Sequence, residues 1–134
     1  MIFSSACAMA HAIRIKEISS EELVALHLAR IEEVNPRLNA VVSLAAERAL
    51  DEARAADARP GGGALHGVPV TLKDSFDTQG IVSTGGTAGR KDFVPSADAV
   101  AVARLRAAGA IVLGKTNTPE MTIMVPPRMR TPRE

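Results

Sequence analysis

Leu65-His66-Gly67-Val68-Pro69-Val70-Thr71-Leu72-Lys73-Asp74 decides the fold of this chain. Val68 to Leu72 is a short apolar run, the pattern of a strand buried on both faces, and it ends on a lysine and an aspartate. A second such run, Ala108-Gly109-Ala110-Ile111-Val112-Leu113-Gly114-Lys115-Thr116-Asn117-Thr118-Pro119-Glu120, leaves a helix and enters a polar loop. The helix is expected from about Ala97 to Ala108, capped by Ser96 or Asp98, with Val100, Ala103 and Leu105 toward a sheet. Gly109 suits the left-handed position just past its end. Strand, helix and strand make a crossover unit, right-handed if the strands are parallel. Ile81 to Thr84 reads as a further short strand.

Upstream the pattern is helical. Ala8, Ala12 and Ile15 recur at helical spacing between about Ser4 and Lys16. Ser19-Ser20-Glu21-Glu22 reads as a capping box, in which Ser19 accepts from the backbone three residues on and Glu22 reaches back. The stripe Leu23, Leu26, Arg30, Ile31, Val34, apolar but for one charge, follows and is expected to stop at Asn35-Pro36, because proline disfavours helical geometry in the residue before it. Asn39 to Val42 reads as a short strand and Ser43 to Ala58 as an Ala-rich helix, closed by Arg59-Pro60-Gly61-Gly62-Gly63.

The chain has 134 residues, the size of one modest domain. It is 46% hydrophobic but only 2% aromatic, so its core must be built from Ala, Val, Leu and Ile. A net charge of +1 implies no long-range field toward nucleic acid or an anionic membrane. Cys7 stands alone, which fits a reducing compartment. The apolar N-terminus lacks the basic region of a secretory signal, and no window approaches the roughly 20 apolar residues of a membrane span. A soluble, cytoplasmic protein is the expectation.

Gly67-Val68-Pro69-Val70, Lys73-Asp74 and Gly114-Lys115-Thr116-Asn117-Thr118-Pro119-Glu120 together resemble the N-terminal region of the amidase signature family, serine hydrolases that cleave amide bonds with a lysine base. The likeness runs from roughly Ala8 to Thr122 and includes Ile31-Glu32-Glu33-Val34-Asn35-Pro36-Arg37-Leu38-Asn39-Ala40-Val41. It implies an α/β fold: N-terminal helices plus the first strands of a mixed sheet flanked by helices, an incomplete amidase signature fold. Residues 1–124 would form the N-terminal part of that domain, and the Pro- and Arg-rich stretch 125–134 a disordered tail.

By the same resemblance Lys73 is the general base of a Ser-Ser-Lys mechanism that hydrolyses a small-molecule amide without metal or organic cofactor. Strand ends are where open α/β sheets bind ligands, and burial there favours the neutral amine that a base requires. The family places its serines on later glycine- and serine-rich loops, so this chain is expected to carry the lysine without the nucleophile and to be inactive alone. Two alternatives stand beside this reading: the amidase subunit of a glutamyl-tRNA amidotransferase, and a non-catalytic remnant or interaction module. Neither a membrane nor direct nucleic-acid contact is expected, whereas an open sheet edge invites self-association.

Other residues point to less. Ser75 stands where many family members carry Asn and is not read as a nucleophile. Cys7 and His11 lie four apart on a helix, but two ligands make no closed metal site. His27 and His66 read as a helix-surface and a loop residue. Gly85-Gly86-Thr87-Ala88-Gly89 lacks the pattern of a phosphate-binding loop and reads as a tight turn on the active-site side. Lys115-Thr116 mimics the end of a P-loop without the upstream glycines.

Overall fold

The computed structural model describes residues 1–59 and 61–123. Among the described residues, four α-helices pack around a three-stranded mixed sheet. In chain order these are α1 (Ala6–Arg14), α2 (Ser20–Leu38), β1 (Val41–Leu44), α3 (Ala46–Asp57), β2 (Pro69–Lys73), α4 (Val100–Ala107) and β3 (Ile111–Thr116). The strand order is β1-β3-β2, with β1 antiparallel and β2 parallel to the central β3. The α/β reading holds. The tail 125–134 lies outside the described residues.

The capping box forms as expected: Glu22 N–H donates to Ser19 Oγ, and Ser19 N–H donates to the Glu22 carboxylate at 2.9 Å. The Asp57 carboxylate from the end of α3 takes the next two orphan N–H groups, those of Ser20 and Glu21, at 2.7 and 3.0 Å. α2 does not stop at Asn35-Pro36; it continues through Pro36 to Leu38 and ends on left-handed Asn39. Asn35 is held helical because its side-chain amide clamps the Val41 backbone, donating to its carbonyl and accepting from its N–H, both at 2.8 Å. That tertiary clamp offsets the local preference against helix before proline.

The pattern expected of a strand buried on both faces belongs to β3 rather than to β2. Ile111 to Lys115 are all buried, whereas Thr71 and Lys73 of β2 are exposed, because β3 is central and β2 an edge. Ile111 and Leu113 pack with Val24, Ala49 and Ala53 of α2 and α3. Val112 packs on the opposite face with Leu72, Ile81 and Val102. A third cluster joins Met9 and Ala10 of α1 to Leu23 and Val68. Burying a side chain such as Leu23 stabilises by about 1.5–3 kcal/mol.

α4 is shorter than expected and rotated. Ala99 precedes it without a side-chain cap; Val102 is its buried residue and Leu105 packs on the sheet-side cluster as expected, whereas Val100, 69% exposed, and Ala103 face outward. Asp98 is not a cap, because its carboxylate accepts from Gln79 N–H and pairs with Arg106. Gly109, at φ +91°, ends the helix as expected, with Ala110 N–H donating to Leu105 O and Gly109 N–H to Arg106 O. Ile81 to Thr84 is not a strand; only an isolated bridge between Thr78 and Ile81 forms there.

Candidate active site

β2 and β3 run parallel, so their carboxyl ends lie side by side and deliver Lys73, Asp74, Lys115 and Asn117 to one edge of the sheet. Lys73 pairs in register with Thr116, and Asp74 N–H extends the ladder to Thr116 O at 2.9 Å. Successive side chains of a strand leave on opposite faces. Lys73 is accordingly exposed, its Nζ donating to Asn117 O at 2.5 Å, while Asp74 is buried. The carbonyl that receives Lys73 is itself fixed: Asn117 N–H donates to Ala40 O, and its side-chain amide to Asn39 O. The burial expected at Lys73 is therefore not supplied by the described residues. The desolvated lysine of this edge is Lys115.

Lys115 is 0% exposed. Its ammonium has three hydrogens and three acceptors: Asp74 Oδ1 at 3.2 Å, Phe76 O at 2.7 Å and Ser83 Oγ at 2.8 Å. Burial pushes its pKa below the ordinary lysine value, and the hydrogen bond and charge of Asp74 oppose that shift. The Asp74 carboxylate also accepts from Thr84 N–H and, at short range, from Thr84 Oγ1. Thr84 Oγ1 in turn accepts from Gly86 N–H, and Gly85 N–H donates to Asp74 O. The Gly85-Gly86 turn is thus fastened to the residue that follows Lys73. Gly86, at φ +75°, lies so close to the carbonyls of Thr118 and Pro119 that a Cβ would collide with both.

A bulge decides which face Lys115 occupies. Val70 is opposite Val112, but the next residue, Thr71, is opposite Gly114, so Leu113 is the extra residue of β3. Simple alternation from Ile111 and Leu113 would send Lys115 into the apolar cluster under α2 and α3. The skipped residue instead puts Lys115 in register with Leu72, on the face that carries Asp74 and Ser83.

Sequence reasoning took Lys115 for an imitation of a P-loop and missed this role. The available signal was a lysine at the end of an unbroken apolar run, with an aspartate at the end of the partner run. Ser75 is exposed, and its hydroxyl makes no hydrogen bond among the described residues. His27 and His66 engage backbone carbonyls, of Leu23 and Ala56, as structural residues do. Cys7 and His11 are exposed on α1, and no group of three His, Cys, Asp or Glu that could hold a metal occurs among the described residues.

The sequence profile of the Amidase family matches residues 22–126, most of the chain and all of this site. The chain belongs to the amidase signature family. Among curated proteins, an indoleacetamide hydrolase of Bradyrhizobium diazoefficiens is 48% identical over 122 residues, which are 88% of this chain and 23% of that protein. A glutamyl-tRNA(Gln) amidotransferase subunit of Nitratidesulfovibrio vulgaris is 46% identical, over 89% of this chain and 25% of that one. Among solved structures, the peptide amidase of Stenotrophomonas maltophilia superimposes with a TM-score of 0.82 at 35% identity, covering 88% of this chain and 25% of its own. A 6-aminohexanoate cyclic dimer hydrolase bound to its substrate gives 0.80 at 39% identity, covering 90% and 24%. The chain thus spans about a quarter of the length of the amidase signature proteins it matches. No helix among the described residues is long and apolar enough to cross a membrane.

Proposed function

We propose that this segment is the base-bearing part of an amidase signature hydrolase, with Lys73 as the general base for cleavage of a carboxylic amide C–N bond. The observation that carries the reading is the placement of Lys73 at the carboxyl end of β2, its amine reaching the Asn117 carbonyl, inside a segment that matches the family profile throughout. The neutral amine would take a proton from a bridging serine, which deprotonates the nucleophile. The family pattern puts those serines after residue 124, so these 134 residues alone should hydrolyse no amide. No cofactor enters this chemistry.

Exchange of residues 1–123 into the 48%-identical indoleacetamide hydrolase tests Lys73. An active chimera should lose roughly 10²–10⁴-fold in kcat/KM on Lys73→Ala, the usual worth of a general base. A chimera indifferent to that substitution sinks the assignment. A second reading, the amidase subunit of a glutamyl-tRNA amidotransferase, is favoured by the 46%-identical relative from such an enzyme; glutamine hydrolysis by a chimera in that relative would select it. If both chimeras fold and neither turns over, the segment is a non-catalytic remnant. The small-molecule substrate and a cytoplasmic location belong to this proposal, as does association through the outer edges of β1 and β2, which have no strand partner among the described residues.

A further inference from the structure

Lys115 is the most deeply buried charge among the described residues, and nothing in the proposed proton transfer uses it. Its ammonium cannot be a second base for a substrate: all three hydrogens are engaged and the atom is closed to solvent. What it does hold is one continuous segment, because its three acceptors belong to Asp74, Phe76 and Ser83. That segment begins beside Lys73 and ends at the Gly85-Gly86 turn. It is closed a second time by Thr84 on the Asp74 carboxylate and by Gly85 N–H on the Asp74 carbonyl. An apolar residue at 115 could fill the volume, but it could not draw a carboxylate, a hydroxyl and a carbonyl to one point.

We propose that Lys115 is a positioning residue for the amidase site: by clamping Asp74, Phe76 and Ser83 it fixes the turn at Gly85-Gly86 against the strand end that presents Lys73. The bulge at Leu113 is part of the device, since it turns Lys115 away from the α2–α3 core and onto Asp74. The inference rests on the reading of the strand end as the site, but its test needs no turnover. A failure of Lys73 as base would show in the chimeras and leave this result unchanged.

The experiment is residue-resolved amide hydrogen exchange on the 134-residue chain, together with the ¹³Cε and ¹⁵Nζ signals of Lys73 assigned by their loss in Lys73→Ala. Lys115→Met leaves a buried carboxylate alone, so the informative variant is the double Lys115→Met/Asp74→Asn, which removes both charges. Ser83→Ala keeps both and deletes one acceptor. In the double variant the amides of Thr84, Gly85 and Gly86 should be accelerated at least roughly 10-fold more than those of Leu113 and Val24, and the Lys73 signals should shift. Ser83→Ala should give the same pattern at smaller amplitude. Unchanged turn amides and Lys73 signals in either folded variant would overturn the proposal, as would a uniform acceleration that includes the core, which marks lost stability alone.

Discussion

Lys115 Nζ and Asp74 Oδ1 lie 3.2 Å apart across two parallel strands, and both side chains are closed to solvent. Removing one member leaves the other as an uncompensated buried charge. Lys115→Met should therefore cost about 3–5 kcal/mol of stability. The double variant Lys115→Met/Asp74→Asn should recover much of that loss. Urea unfolding of the three proteins measures both differences.

The same lysine sets a pH dependence. Its folded pKa lies below its ordinary value of 10.5 because burial disfavours the ammonium. Between the folded and unfolded values the unfolded chain binds more protons, so the Lys115 contribution to stability rises with pH through the window that ends near 10.5. Below it the penalty is constant. Denaturation midpoints collected up to pH 10.5 should show this rise in the native chain and lose it in the double variant.

Lys73 makes the contrast one strand position away. It is exposed and its one side-chain hydrogen bond among the described residues goes to a carbonyl, so Lys73→Ala should change stability by no more than about 0.5 kcal/mol. A thermal melt that fell as far as that of Lys115→Met would show Lys73 to be a structural residue.

Gly86→Ala attacks the turn from outside the charge cluster. The new Cβ meets the carbonyls of Thr118 and Pro119 at a positive φ, and the strain should cost about 1–3 kcal/mol. Gly85, whose Cβ would enter open space, should tolerate alanine better, with only its positive φ to accommodate. Calorimetry on the pair separates collision from conformation.

At the start of α2, Ser19→Ala should cost about 1 kcal/mol through loss of the cap. Glu22 is held below its ordinary carboxylate pKa by hydrogen bonds from the Ser19 backbone and side chain. Its contribution is thus present above 4.5 and lost as pH falls through the folded value. Helicity followed by circular dichroism between pH 6 and pH 2 should fall less steeply in Glu22→Gln.

Much of this was written in the chain itself. The capping box at Ser19, the left-handed Gly109 and the two runs that become β2 and β3 are local signals, set by hydrogen bonds and torsions within a few residues. The motif around Lys73 was legible for the same reason, since residue types and spacing within ten positions carry it. Tertiary structure decided the rest. Whether a strand is central or an edge depends on which neighbours it finds, so the two-sided burial read at Val68–Leu72 fell to β3. Pro36 stays inside α2 because Asn35 grips Val41, an interaction that local propensity does not contain. Above all, the face on which Lys115 lies follows from one extra residue in β3, and a bulge is a property of two paired strands rather than of either sequence alone.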